Sequence, residues 1–231
     1  MKNIFILFFC FISISALSQK VEIKDPNLKN ELIVLFDKNS NGKLDKEEIE
    51  NVTELKLDEK KISDISGLES FKNLKILNLR KNNISDFSLL NKLPKLEQLY
   101  IGENKAIGTL NLNKLVNLEG IYAFRLELSK IKLNSKKLKY IYLQDNLFTK
   151  FDASNFPILN TLNLDGCKPL NELNIISNTE LVQLYLLGTS IKKLNVSNNK
   201  NLKTMYIENS VKLIKDFDQE YLKPAPIIIA K

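Results

Sequence analysis

Twelve consecutive residues, 37–48, place oxygen-bearing side chains at the spacing that a hard cation requires. The stretch DKNSNGKLDKEE fits the pattern D-x-[DN]-x-[DN]-G-x₅-E without a mismatch. Calcium takes about six to eight oxygen ligands from such a loop, and a glycine, here Gly42, stands where the chain turns sharply. The sequence therefore predicts a calcium site whose ligands are Asp37, Asn39, Asn41, the backbone carbonyl of Lys43, Asp45 and Glu48.

The residues on both sides of this loop predict helices. Asp25 followed by Pro26 is a helix start, and residues 46–50 suit a short exit helix. The incoming helix has apolar residues at helical spacing, namely Leu28, Leu32, Leu35 and Phe36. Residues 25–51 resemble an EF-hand, which implies a helix–loop–helix that binds calcium. EF-hands usually pair, whereas this sequence contains one. Because the side-chain ligands carry three formal negative charges, we expect weak binding, with a Kd of about 10⁻⁴–10⁻³ M. The alternative is a solvated turn that binds nothing.

The remaining composition argues against catalysis. The 231 residues include no His and two Cys, which removes the usual general base and leaves too few thiols for a disulfide scaffold or a four-thiolate zinc site. The sequence shows no nucleophile–base pair and no phosphate-binding loop. We expect that the protein is not an enzyme.

The first 18 residues have the features of a secretory signal peptide. Met1-Lys2-Asn3 precedes the apolar run from Ile4 to Leu17, and small residues lie near a predicted cleavage point at Ser18. An uncleaved anchor is the alternative, but the run is short for a membrane span and we expect no transmembrane segment after cleavage. The prediction is an exported protein that is secreted, periplasmic or at the cell surface, with Cys167 as its remaining thiol.

Residues 52–222 consist of a repeating pattern. The motif L-x-x-L-x-L starts at eight places, Val52, Leu74, Leu96, Leu118, Leu138, Leu159, Leu181 and Leu202, at intervals of 20–22 residues. This is the period and pattern of leucine-rich repeats, in which stacked copies bury a shared core. We predict an α/β solenoid, a leucine-rich-repeat horseshoe with a parallel β-sheet on its concave face. It would follow a signal peptide (1–18) and a helix–loop–helix N-terminal cap (19–51), and precede a C-terminal cap or tail (223–231).

A column of small polar residues follows the strands, at Asn82, Asn104, Asn146, Cys167, Thr189 and Ser210. Each can hydrogen-bond the backbone where the chain leaves the strand, so Cys167 is interpreted as structural rather than reactive. The fourth copy, with Ala123 and Leu126, is expected to be irregular. The early repeats, KISDISGLESFKNL and NISDFSLLNKLPKL, resemble those of bacterial internalins. That resemblance implies a ligand-binding horseshoe with an N-terminal helical cap, without naming a ligand.

Tyrosines recur at one position of the predicted strands. Side chains alternate along a strand, so the residue between the last two apolar positions of each motif should face the concave surface. The candidate ligand-binding residues of this face are Tyr100, Tyr122, Tyr142, Tyr185 and Tyr206, with Tyr140 and Phe124 in neighbouring columns. They could anchor a protein interface or hold sugar rings, or they could only stabilise the sheet by cross-strand stacking. All of these readings remain open at this point.

The leading hypothesis is a secreted, calcium-binding interaction module whose concave face binds a protein or glycan on a cell surface or in the envelope. We expect it to be a monomer. The alternative is a structural spacer of an envelope or matrix whose calcium site only stabilises the cap. Nucleic acid is not expected as a partner of an exported chain, despite the net charge of +7. The densest basic cluster, Lys130, Lys132, Lys136, Lys137 and Lys139, could attract anionic surfaces or be a solvated face.

Overall fold

The structure, a computed structural model, describes residues 20–223. The predicted signal peptide, and the segment 224–231 that was expected to close the last repeat, lie outside the described residues. Within residues 20–223, no helix is long and apolar enough to cross a membrane.

The main feature is a parallel sheet of eight short strands, one from each repeat. Its order is β1-β2-β3-β5-β7-β9-β11-β13, so each strand pairs with that of the next repeat. This confirms the predicted leucine-rich-repeat solenoid. The strands are β1 (Glu54–Lys56), β2 (Ile76–Asn78), β3 (Gln98–Tyr100), β5 (Gly120–Tyr122), β7 (Tyr140–Tyr142), β9 (Thr161–Asn163), β11 (Gln183–Tyr185) and β13 (Thr204–Tyr206).

The centre of every strand is an apolar residue that points into the core. Leu55, Leu77, Leu99 and their equivalents in later repeats are aligned across the sheet and nearly inaccessible to solvent. Each such side chain stabilises the fold by about 1.5–3 kcal/mol through burial. Because the aligned partner lies one repeat away, no single repeat could bury its own apolar face.

The convex side of the solenoid changes along the chain. The first repeats return through short 3₁₀ turns, Leu68–Ser70 and Ser88–Lys92. Later repeats return through short strands that pair two by two, β4 with β6, β8 with β10 and β12 with β14. These are β4 (Thr109–Leu112), β6 (Lys130–Leu133), β8 (Lys150–Asp152), β10 (Glu172–Asn174), β12 (Lys193–Asn195) and β14 (Lys212–Ile214).

The N-terminal cap, residues 20–51, packs on the first repeat. It contains helix α1 (Pro26–Phe36) and the short helix α2 (Lys46–Ile49). Leu28 and Leu32 are buried and Phe36 meets Phe71 edge-on at 6.0 Å between ring centroids. Leu35, expected on the same face, is 51% exposed, so that part of the prediction is wrong. Ile33 packs against the core instead, because the repeat covers only the side of α1 that carries Leu28 and Leu32.

Asp25 joins the cap to the repeats. One carboxylate oxygen accepts hydrogen bonds from the backbone N–H groups of Asn27 and Leu28 at the start of α1. The other accepts from the backbone and hydroxyl of Ser63 and from the backbone of Asp64, in the first repeat. Burial raises the pKa of Asp25, but these hydrogen bonds to the ionised form outweigh it, and the net pKa lies below the ordinary 3.8.

Two columns of buried polar side chains hold the turns of successive repeats together. In the first column, Asn146 accepts from the backbone N–H of Leu126 and Leu128 and donates to the carbonyls of Ala123 and Leu143. Leu126 itself is buried in the core, and its backbone is supported by the Asn of the next repeat. The second column, on the return side, was not anticipated from the sequence; it consists of Asn178, Asn199 and Gln219, which donate to carbonyls one repeat earlier.

The last described residues cover the end of the solenoid. Residues 217–219 form a 3₁₀ turn after β14. Gln219 is buried and donates to the carbonyl oxygens of Val196 and Asn199, and Leu222 is also buried. The Tyr221 hydroxyl donates to the Leu202 carbonyl at 3.0 Å. Capping contacts therefore begin several residues before the Pro-rich tail that was expected to supply them.

Candidate functional site

Two regions carry the residues that the sequence singled out, the loop of the N-terminal cap and the concave face of the sheet. In the loop, Asp45 Oδ2 accepts from the side-chain amides of Asn39 at 3.3 Å and Asn41 at 3.1 Å. Asp37 accepts from the backbone N–H of Asn41 and, at 2.8 Å, of Gly42. The predicted side-chain ligands are therefore neighbours.

Glu48 closes the loop by reaching back to its start. Its Oε1 accepts from the backbone N–H of Lys38 at 2.9 Å and of Asn39 at 3.3 Å. Its Oε2 accepts from the backbone N–H of Asp45 at 3.0 Å. Glu48 thus occupies the space between the first and last parts of the loop. Both carboxylate oxygens of Glu48 are therefore held against the backbone of the loop.

The backbone of the loop is fixed from outside by the N-terminal segment. The N–H of Val21 donates to the carbonyl oxygen of Leu44 at 3.1 Å, and both side chains are buried. Gly42 has a φ of +72°, in the left-handed region that favours glycine. The chain segment around residue 21 thus supports one edge of the loop.

The donor set of the loop has the chemistry of a calcium site rather than of a transition-metal site. It offers carboxylates, amide oxygens and one backbone carbonyl, which are the ligands of hard cations. Within residues 20–223, no three or more His, Cys, Asp or Glu side chains are grouped closely enough to hold a metal by themselves. A site in this loop would therefore depend on Asn39, Asn41 and the Lys43 carbonyl as well as on the acids.

On the concave face, the strand register aligns the tyrosines into a column. Lys56, Asn78 and Tyr100 are followed across the sheet by Tyr122, Tyr142, Asn163, Tyr185 and Tyr206. The rings stack face to face, with centroids 4.2 Å apart for Tyr100 and Tyr122, 5.0 Å for Tyr122 and Tyr142, and 5.1 Å for Tyr185 and Tyr206. We call these five residues the tyrosine column. Their rings are half-buried.

Where two rings of the column stack, the faces that meet are covered, and the ring edges and hydroxyl groups remain open to a partner. The interplanar angles in the column are only 9–12°, so each stacked ring covers the face of the next. Burial raises the pKa of Tyr122 and of Tyr142. Repulsion from neighbouring tyrosines is a smaller effect that raises both pKa values further. These phenols therefore remain protonated at neutral pH and act as neutral hydrogen-bonding groups.

Two glycines next to the column make room for larger side chains. The Phe124 ring lies in the space that a side chain at Gly102 would occupy, and Arg80 stands 5.7 Å from the centre of that ring. The Gln98 side chain lies in the corresponding space above Gly120. Tyr140, the remaining residue predicted for the concave face, is the first residue of β7 and is 37% exposed. The concave floor is thus continuous from Arg80 to Tyr142.

A row of ion pairs, which the sequence did not suggest, borders the concave face. Arg80 pairs with Glu103 at 2.9 Å, Glu103 with Arg125 at 3.0 Å, and Arg125 with Asp145 at 3.1 Å. Glu103, Arg125 and Asp145 share one turn position and all have φ values near +55°. In the sequence, acidic and basic residues alternate at this turn position at intervals of 20–22 residues. This alternation predicts the ion pairs, but only once the turn position is known.

Two lysines of the basic cluster, and the thiol, lie away from the tyrosine column. Lys130 and Lys132 belong to β6 on the convex side, beside a groove of about 320 Å³ that also contains Phe148 and Phe151. Cys167 is buried, donates to the Leu143 carbonyl at 3.3 Å, and burial raises its pKa to about 11. A thiol in this state is a poor nucleophile.

Comparison with known proteins agrees with this architecture. A family model described as leucine-rich repeats in two copies matches residues 72–114. No curated protein matches the chain. The fold is therefore a leucine-rich-repeat solenoid.

Solved structures with this fold include internalins of Listeria monocytogenes. The functional domain of InlJ superposes with a TM-score of 0.62 at 23% identity, over 74% of this chain and 41% of that one. Internalin C2 gives 0.56 at 21% identity, over 80% of this chain and 93% of that one. The internalin inlF gives 0.51 at 21% identity, over 88% and 79%. The chain therefore spans less than half of the InlJ domain, and identities at this level establish the fold alone.

Proposed function

We propose that this protein is an exported interaction module that binds a protein partner through the concave face of its sheet. The tyrosine column carries this proposal, because it places five half-buried aromatic side chains with polar tips on one surface. Tyrosines of this kind are frequent anchors of protein interfaces. The rigid sheet beneath them would lower the entropic cost of binding.

A protein partner is favoured over a glycan by the way in which the rings stack. A sugar ring packs on the open face of an aromatic ring, whereas Tyr122 has Tyr100 on one face and Tyr142 on the other. The accessible edges and hydroxyls suit hydrogen bonds and side-chain contacts of a polypeptide. Glycan binding therefore becomes an outcome of the experiment and not the leading expectation.

The experiment compares two double variants in binding to purified surface and secreted proteins and to a glycan array. Tyr122→Ser/Tyr142→Ser removes ring area from the concave face, and Lys130→Ser/Lys132→Ser is the control on the convex face. The proposal expects a protein ligand whose affinity falls at least about 30-fold in the tyrosine variant, or about 2 kcal/mol, and stays unchanged in the control. Equal binding by both variants, or loss in the lysine variant only, would overturn it.

We also propose that the loop of residues 37–48 binds calcium and thereby stabilises the N-terminal cap. The hydrogen bonds among Asn39, Asn41 and Asp45 and the position of Glu48 support this, since they bring the candidate ligand residues close together. Asp45 and Glu48 would supply carboxylate oxygens, and the bound cation would neutralise their mutual repulsion. The export of the chain rests on the properties of residues 1–18.

The second candidate function is a structural spacer. It is favoured by the stacking within the tyrosine column, which stabilises the sheet whether or not a partner binds. A tyrosine variant that loses stability and binds every partner like the wild type would support the spacer.

A further inference from the structure

The tyrosine column is interrupted once, at Asn163. The strand order places β9 between β7 and β11, and Asn163 is aligned with Tyr142 on one side and Tyr185 on the other. Strands in a sheet are about 4.8 Å apart, so the two flanking rings are separated by roughly 9.6 Å. We call the space above Asn163, between Tyr142 and Tyr185, the slot.

The slot has the width of one planar group. A group halfway between the two rings would lie about 4.8 Å from each. This matches the 5.0 Å and 5.1 Å separations of the stacked pairs on either side. The short Asn163 side chain lies beneath this space, since it is only 8% exposed and its Oδ1 accepts from the Asp165 N–H at 3.0 Å. The faces of Tyr142 and Tyr185 that look towards each other are thus the open ring faces in the middle of the column.

The residues next to the slot, beyond the ends of β7 and β9, offer hydrogen-bond acceptors and one negative charge. Asp165 follows Asn163 on the same face, accepts one hydrogen bond from Leu187 at 2.7 Å, and has no Lys or Arg within 4.0 Å among residues 20–223. Gln144, two residues beyond the end of the neighbouring strand β7, has a buried side-chain oxygen without a hydrogen-bond donor. Burial raises the pKa of Asp165, as expected for a carboxylate that lacks a counter-ion.

The charge of this part of the concave face contrasts with that of the chain. The protein has a net charge of +7. The only charged residues at the concave positions of five strands, and at the positions two residues beyond them, are Asp165 and Glu208, with no Lys or Arg. These strands are β5, β7, β9, β11 and β13. A cationic group would therefore meet complementary charge here. Among cationic side chains, the arginine guanidinium is planar, stacks on aromatic faces and is weakly hydrated, whereas the lysine ammonium is a strongly hydrated point charge.

We propose that the slot between Tyr142 and Tyr185 binds an arginine side chain of the protein partner, with the guanidinium stacked between the two rings and hydrogen-bonded to Asp165. Rotation of the Gln144 amide would bring its unpaired oxygen to the same group. The proposal rests on the proposed function, since it assigns one side chain of the partner that the concave face would bind. It makes the interruption of the column a specificity element.

The test uses small probes and a matched pair of variants. The ¹⁵N-labelled protein is titrated with N-acetyl-arginine amide, and with the lysine and phenylalanine counterparts, while the backbone amides of Asp165 and Leu187, which wild type and variants share, are followed by NMR. Asn163→Tyr fills the slot and completes the column. Asn78→Tyr is the control, because Asn78 occupies the same column beyond Tyr100 and its Oδ1 makes the same contact, to the Arg80 N–H.

We expect saturable shifts with the arginine probe at millimolar concentration and at least about ten-fold weaker responses with the lysine and phenylalanine probes. Asn163→Tyr should weaken the arginine response at least ten-fold, whereas Asn78→Tyr should leave it unchanged. An equal response to lysine would reduce the effect to charge, and an equal response to phenylalanine would reduce it to stacking. Either result, or undiminished binding by Asn163→Tyr, overturns the proposal.

A peptide library displayed on phage separates failure of the slot from failure of the proposed function. Peptides retained by the wild type should contain arginine and be lost with Asn163→Tyr. If retained peptides lack arginine and are lost with Tyr100→Ser/Tyr122→Ser but not with Asn163→Tyr, the slot is wrong and concave binding stands. If no retained peptide depends on any of these residues, the proposed function itself fails.

Discussion

The loop of residues 37–48 and the tyrosine column are built in opposite ways. All the loop ligands lie within twelve residues of chain, and their hydrogen bonds to one another span ten residues or fewer. In the column, every neighbouring pair is one or more repeats apart in sequence, as for Tyr122 and Tyr142. A local motif can therefore be recognised and damaged on its own, whereas a column depends on the stacking of the whole solenoid.

The largest effect on stability is expected from the polar column that holds the repeats together. Asn146→Leu would leave the Leu126 and Leu128 N–H groups and the Ala123 and Leu143 carbonyls without their partner inside the core. The free energy of unfolding should fall by about 3–5 kcal/mol, because buried unsatisfied groups cost about 1–3 kcal/mol each and are not fully additive. Urea denaturation measures this.

The control is Asn117→Leu, since the half-buried Asn117 makes only two exposed hydrogen bonds, to the Pro94 carbonyl and from the Lys137 ammonium. It should cost less than about 1 kcal/mol. If both variants lost the same stability, the buried column would not be what couples the repeats.

The second largest effect on stability is expected at the junction between the N-terminal cap and the first repeat. Asp25→Ala removes the carboxylate that joins α1 to Ser63 and Asp64, and should cost about 2–4 kcal/mol at neutral pH, through loss of the helix cap and of the inter-region hydrogen bonds. Asp86→Ala, which removes a single exposed contact to the Ser88 N–H, is the control.

The same junction predicts a pH dependence. The folded-state pKa of Asp25 lies below its ordinary 3.8, so its contribution is fully present above that value and is lost as the pH falls through the lower folded-state pKa. The stability difference between wild type and Asp25→Ala should therefore be constant from pH 5 to 7, by chemical denaturation, and shrink towards about pH 2. A difference that grew on acidification would contradict the lowered pKa.

The loop alone should respond to calcium. With a Kd of about 10⁻⁴–10⁻³ M, calcium at about 10 mM should stabilise the folded state by about 1.4–2.7 kcal/mol and raise the Tm by about 3–10 °C. Glu48→Gln should abolish this shift, because it removes a charged ligand. Glu50→Gln, an exposed acid two residues further on, should keep it. A wild type that melts identically in calcium and in chelator would contradict calcium binding.

The smallest effect on stability is expected from the tyrosine column. Tyr122→Ser/Tyr142→Ser should cost about 1–2 kcal/mol, because half-buried rings lose cross-strand stacking without opening a core cavity. Calcium should still raise the Tm of this variant by the wild-type amount, since the loop ligands are local. A variant that failed to fold would place these rings in the core and contradict the concave position of the column.

The sequence by itself determined the solenoid and the location of both candidate sites. Periodicity was sufficient for the fold, because eight copies of one apolar pattern have a common solution in which leucines such as Leu77 and Leu99 align. The loop was visible because its ligand spacing is fixed by chain geometry over a few residues. The alternation of side chains in a strand was enough to place Tyr122 and Tyr142 in one column.

Only the tertiary structure decided what lies between repeats. Three features bring together residues of neighbouring repeats. They are the slot above Asn163, the ion pairs from Arg80 to Asp145, and the buried column of Asn178, Asn199 and Gln219. Their positions depend on turn conformations that no local pattern specifies, such as the positive φ of Arg125. The exposure of Leu35 has the same origin, because helical periodicity defines a face of α1 but not how much of that face the first repeat covers.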